Sequence, residues 1–130
     1  MATATTQFSS ADLHKIDEAD DLKISPLRND GVTYGTPTWI WAVVVNGALY
    51  VRAYNGQASG WYQSAMKQQA GRIHTAGMIK EVRFEPVQGD DINKLIDEAY
   101  KKKYSSSPYL SPMISNRAKS ATVKIIPKDI

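Results

Sequence analysis

From Thr36 to Tyr54 the chain reads TPTWIWAVVVNGALYVRAY, two alternating runs joined by Asn46-Gly47. That dipeptide suits a type I′ turn, whose central residues both need positive φ. The turn predicts a register: Val45 opposite Ala48, Val43 opposite Tyr50, Trp41 opposite Arg52 and Trp39 opposite Tyr54. Alternation then gathers Ile40, Ala42, Val44, Leu49, Val51 and Ala53 on one face, because successive strand side chains point to opposite sides. This aliphatic face reads as core. The other face holds Trp39, Trp41, Tyr50, Tyr54 and Arg52. A cation among rings asks for a ligand or a partner chain.

Similar patterning marks the flanking elements. Ser9 or Ser10 is placed to cap a short helix running through Asp20, with Leu13, Ile16 and Ala19 as its apolar stripe. Leu22 and Ile24 alternate with Lys23 and Ser25 in a strand that Pro26, lacking an N–H, confines to an edge or a bend. Asn29-Asp30-Gly31 marks a turn. The loop NGQASG leads to a short helix over Trp61 to Gln69, and strands follow from Gly71 to Ala76 and from Met78 to Phe84. Asp90 or Asp91 opens the clearest helix. Its stripe is Ile92, Leu95, Ile96 and Ala99, with Asn93, Lys94, Asp97 and Glu98 toward water. The aspartates at its start and Lys101 to Lys103 at its end complement the helix dipole. The stretch SSSPYLSP reads as a linker to a short turn or helix, and Thr122 to Ile126 as a last strand stopped by Pro127.

Six short strands with helices between them predict one α+β domain over residues 1–130, mostly antiparallel and curled into a small closed or nearly closed barrel. Residues 1–8 are expected to be flexible.

Composition narrows the classes. At 130 residues and 14.4 kDa the chain can bury one real core, and 42% hydrophobic with 22% charged residues is ordinary soluble usage. The longest apolar run, Trp39 to Val45, is far shorter than the roughly 20 residues of a membrane helix. MATATTQFSS lacks the basic and apolar regions of a secretory signal. With no cysteine there is no disulfide framework, thiolate nucleophile or thiolate metal site. A cytoplasmic protein with no membrane partner is expected. The net charge of +3 favours anionic ligands by steering, but it forms no concentrated basic stripe, so no nucleic acid is expected.

Candidate chemistry centres on Arg52. An arginine can hold a phosphate or carboxylate by a charge-assisted fork while the rings of Trp39, Trp41, Tyr50 and Tyr54 stack a planar ligand. The competing readings are cross-strand packing of Arg52 on Trp41 and a plain dimer contact. Arg72 and His74 share one side of their strand and can bind an anion, with His74 titrating near neutrality as acid or base. A structural or merely exposed His74 is the commoner case. The other histidine, His14, is read as having no carboxylate at ligand spacing, so a metal site is not expected. Trp61 and Tyr62 follow Gly60 and either fold over a groove or plug the helix onto the core. Arg28 reaches the same groove or pairs with Asp30. The GQASG loop lacks a P-loop ending, and no serine sits in a nucleophile elbow.

The order RNDGVTYGTPTWIWAVVVNGALYVRA, GWY, GRIHTAG, VRFEPV and IDEAYKKKY, within residues 12–127, resembles a domain family of unknown function. That family is similar to the FMN-binding split-barrel superfamily, alongside pyridoxamine phosphate oxidases and deazaflavin-dependent reductases. The resemblance implies a split barrel with peripheral helices, a homodimer, and a groove at the dimer interface for an anionic planar cofactor, FMN or deazaflavin. By position the phosphate would lie along Arg52 to Lys67. The chain departs from the oxidase pattern there, with Gly60-Trp61-Tyr62 in place of a Ser-Arg-Lys run. The implied cofactor-binding set is Arg52, Trp39, Trp41, Tyr54, Trp61, Lys67 and Arg72, with His74 as a proton donor in a flavin- or deazaflavin-dependent oxidoreductase. The alternative is a non-catalytic small-ligand or protein-interaction module that has lost the cofactor.

Overall fold

The computed structural model describes residues 8–19 and 21–127. In chain order the elements are α1 (Ser10–Glu18), β1 (Lys23–Pro26), β2 (Thr38–Trp39), β3 (Ala42–Val45), β4 (Ala48–Arg52), α2 (Gly60–Gln68), β5 (Ala70–Thr75), β6 (Met78–Pro86), α3 (Asp90–Lys103), α4 (Leu110–Met113), α5 (Asn116–Lys119) and β7 (Thr122–Pro127), with a 3-10 turn at Gly56–Ala58. All strands form one antiparallel sheet in the order β2-β1-β5-β6-β7-β4-β3.

Asn46 and Gly47 take φ of 51° and 76°, the left-handed pair that a type I′ turn requires. The register follows: Val45 faces Ala48, Val44 faces Leu49, Val43 faces Tyr50 and Ala42 faces Val51. The ladder ends there, one residue short of the expected Trp41–Arg52 pair. Trp39 pairs with Lys23 of β1 instead of Tyr54. The long first strand of the hairpin is therefore two strands, and the sheet has seven rather than six.

This break curls the sheet. β2 and β3 are the two edges of the sheet, yet only Ile40 and Trp41 separate them in sequence. Laid flat, seven strands would hold their edges about 29 Å apart at the usual spacing. The chain from Trp39 to Ala42 spans at most about 11 Å. The sheet must curl until its edges approach each other, and the segment Thr38 to Val45 runs from one to the other.

Inside the curl, Ile24, Leu49, Val51, Ile73, Val82, Phe84, Val123 and Ile125 pack together, with Ile40 and Ala42 from the bridge, Leu13 and Ile16 from α1, and Ala65 from α2. The Ser9 side chain caps α1 by accepting from the Asp12 N–H at 3.1 Å. The expected end of this helix at Asp20 lies outside the described residues, as does the expected flexibility of residues 1–7; Phe8 is buried in the core. Pro26 sits beyond the reach of β2, so on that side its missing N–H disrupts no ladder.

Outside the curl, Val43, Val45, Ala48 and Tyr50 pack on Ile96 and Tyr100 of α3 and Met113 of α4. Part of the face expected to need a ligand or a second chain is thus covered by the chain's own helices. α3 is rotated from the expected orientation. Asn93, Ile96 and Tyr100 are its buried residues, while Leu95 is 46% exposed. Among the described residues no helix is long and apolar enough to cross a membrane.

Candidate functional site

Where the barrel edges approach each other, the surface opens into a cleft of about 510 Å³. The bridging segment supplies Thr38, Trp39, Ile40 and Trp41; the end of β4 supplies Arg52, Tyr54 and Asn55; the start of α2 supplies Ser59 and Trp61; and Tyr109 and Met113 come from the start and end of α4's turn. All three tryptophans of the chain line it. Trp39 is 72% exposed, with Lys23 Nζ 5.5 Å from its ring. Trp41 is half-buried and stacked on Tyr104, 4.1 Å between centroids and 3° from parallel. Tyr54 meets Tyr109 edge-on at 6.3 Å. Trp39, Trp41, Tyr54, Trp61 and Tyr109 together give the cleft a largely aromatic lining, of the kind that small-molecule sites use.

Arg52 lies at the floor of this cleft with no exposed surface. Its Nε donates to Thr122 Oγ1 at 3.0 Å, one terminal nitrogen to Asp97 and to the Met113 carbonyl at 3.3 Å, and the other to the Asn93 carbonyl and side-chain oxygen at 3.1 and 3.0 Å. These contacts account for every donor that a guanidinium owns. The anion contact expected of Arg52 has no free N–H to make it. Asn93 and Asp97, expected in water, turn inward because a buried guanidinium needs acceptors and a counter-charge.

Tyr100 is buried behind Arg52. Its hydroxyl donates to the Trp41 carbonyl at 2.8 Å, and its ring lies 5.5 Å from the Arg52 guanidinium carbon. Burial pushes its phenol far above the ordinary range, so it stays a neutral donor that fixes the backbone at Trp41.

The remaining expected residues fall elsewhere. Arg72 donates to Glu81 at 3.0 Å and stacks on Tyr34 at 3.7 Å, and Tyr34 closes the set by donating to Glu81. Lys67 is exposed on α2 and lines no part of the cleft. His74 sits half-buried in a separate depression of about 300 Å³ with Asp21, Lys23 and Trp39. Register explains the grouping, since Trp39, Lys23, His74 and Ile79 stand opposite one another across neighbouring strands. Arg28 donates to the Tyr34 carbonyl at 3.1 Å, while Asp30 is occupied by its own turn. His14 does have a carboxylate at helical spacing: Glu18, 3.3 Å away. Among the described residues no three His, Asp or Glu side chains gather as a metal site would need.

Sequence reasoning passes over Thr38, Asn55, Ser59 and Tyr109 as cleft residues. Tyr109 carried a usable signal, a large ring inside an otherwise small and polar SSSPYLSP stretch.

The chain belongs to the family described as uncharacterized proteins conserved in bacteria (DUF2255), matched over residues 12–125. The structure is similar to that of the conserved hypothetical protein Rv2991 from Mycobacterium tuberculosis, with a TM-score of 0.61 at 13% identity, covering 98% of this chain and 84% of that one. At this identity the likeness is one of fold alone. No curated protein matches the chain in sequence.

Proposed function

We propose that this chain is a small-molecule-binding protein whose cleft between the barrel edges takes a planar aromatic ligand. The observation that carries the reading is that all three tryptophans, with Tyr54 and Tyr109, line one cleft of about 510 Å³. That volume lies within the usual range for small-molecule sites, and aromatic walls with a few neutral polar groups are their common lining. Thr38, Asn55 and Ser59 supply the polar groups.

A flavin or deazaflavin remains the leading ligand class, on the strength of the resemblance. Its ring suits the aromatic walls. Its phosphate does not find the cations expected for it, because Arg52 and Arg72 are committed within the protein and Lys67 lies off the cleft. Among the described residues, those lining the cleft with ionisable side chains are Arg52, Tyr54 and Tyr109, with no carboxylate or imidazole to act as acid or base. In an oxidoreductase reading the cofactor would supply the redox chemistry, and the protein would bind and orient it. The same lining favours the alternative of a non-catalytic binding module.

Titration of the protein's tryptophan emission with riboflavin, FMN and small planar aromatics tests this reading. Saturable quenching with one-site stoichiometry is the expected result. Quenching that rises linearly without saturation for every compound would overturn it.

A further inference from the structure

With Arg52 committed internally, the charge that the cleft selects must be set by another residue. This step rests on the binding reading above and concerns the ligand's charge. Arg117 of α5 is exposed and stands just outside the cleft lining, its guanidinium carbon 5.8 Å from the centroid of Tyr54, a wall of the cleft, so it can meet only a ligand group that extends past Tyr54. Among the described residues no carboxylate pairs with it. Asp97, which holds Lys119 at 3.0 Å, is shared with Arg52 instead.

The position of Arg117 is built by its surroundings. Gly56, at φ +71°, leaves room for the Arg117 stem: a Cβ there would lie 2.6 Å from Arg117 Cγ and 2.9 Å from its carbonyl oxygen. Glycine is thus required twice, for its backbone angle and for this close approach. Gln57 Nε2 donates to the Ser120 carbonyl at 3.0 Å and ties the same loop to the end of α5. The stem is held by the loop and the head by the face of Tyr54. A guanidinium on a ring still presents its N–H edges, the geometry that grips carboxylate or phosphate in a fork. Asn55 and Ser59 stand on the same loop and line the cleft.

We infer that Arg117 is the anion-recognising residue of this cleft, and that its ligand is a planar aromatic molecule carrying a carboxylate or phosphate at the end beside Tyr54.

Two matched ligand pairs test this: FMN with riboflavin, which share a ring system and differ by the phosphate, and 2-naphthoate with its neutral amide. For at least one pair the parent protein should bind the anion about ten- to a hundred-fold tighter than its neutral partner, a preference that shrinks with added salt. Arg117→Ala should abolish that preference and leave the neutral member's affinity unchanged, which also reports that the cleft is folded. Arg117→Lys should restore part of it. Equal binding of anion and neutral partner in both pairs, or a preference that survives in Arg117→Ala, would overturn the inference and leave the cleft standing. Binding of no member of either pair would overturn the cleft reading and this inference together.

Discussion

Arg52 and Asp97 form an ion pair in which the arginine side chain has no exposed surface and the aspartate keeps 16% of its own. The other Asp97 oxygen holds Lys119 at 3.0 Å. One carboxylate therefore joins β4, α3 and α5, and Thr122 adds β7 through the Arg52 Nε. Removing one partner of a buried pair leaves the other charge unpaired, at a cost of about 3–5 kcal/mol. Arg52→Ala should lower the urea unfolding free energy by about that much, whereas the exposed Arg117→Ala should stay within about 0.5 kcal/mol of the parent. An Arg52→Ala protein as stable as the parent would mean that the guanidinium is solvated and free for a ligand.

The orientation of α3 gives a second, opposed pair of expectations. By apolar periodicity alone, Leu95→Gln should be damaging and Asn93→Leu harmless. In the structure Asn93 accepts from Arg52 at 3.0 Å and Thr122 at 3.1 Å and donates to the Gly89 carbonyl at 2.9 Å, while Leu95 is nearly half exposed. Asn93→Leu should therefore cost about 1–3 kcal/mol by stranding these groups, and Leu95→Gln should fall within about 0.5 kcal/mol of the parent. Chemical denaturation of both variants gives the answer, and the reverse order would place α3 the other way round.

What the sequence displayed and what it hid divide along the distance over which each feature is decided. The Asn46-Gly47 turn is local, so the register of Ala42–Val45 against Ala48–Val51 was readable, and so was the aliphatic face. The break at Ile40–Trp41 was not, because the alternation runs through it without change. What changes there is the neighbouring strand, β1 on one side and β4 on the other. Asn93 and Asp97 read as solvent-facing from their spacing because their partner Arg52 lies 41 and 45 positions away. Alternation puts Trp39, Trp41, Tyr50 and Tyr54 on one face; of these Trp39, Trp41 and Tyr54 line the cleft, joined by Trp61 from the next loop, while Tyr50 packs beneath α3. Arg117 carried no signal in its short helix; only Gly56 and Tyr54 in three dimensions fix its place against the Tyr54 ring.

Acid stability offers a separate check on the β5–β6 turn. The Ala76 N–H at 3.0 Å and the Thr75 hydroxyl at 2.9 Å both donate to the Asp21 carboxylate and hold its pKa below the ordinary value. A carboxyl depressed in the folded state stabilises the protein above its unfolded pKa of about 3.9, and that contribution is lost as pH falls through the lower folded value. The difference in urea midpoint between parent and Asp21→Asn should be largest near neutrality and shrink as pH is lowered through the carboxylate range. A gap independent of pH would show that the charge of Asp21 contributes nothing.

The most direct test of the binding cleft uses its three tryptophans as reporters. In a nitrogen-15-labelled protein each indole N–H gives its own correlation peak, and each peak can be assigned by a single Trp→Phe variant. On titration with riboflavin, FMN or 2-naphthoate, the peaks of Trp39, Trp41 and Trp61 should move together along one saturating isotherm, while backbone peaks of the Arg72–Glu81–Tyr34 cluster stay in place. Saturable binding that leaves the three indoles unmoved, or no saturable shift with any of these ligands, would contradict the account.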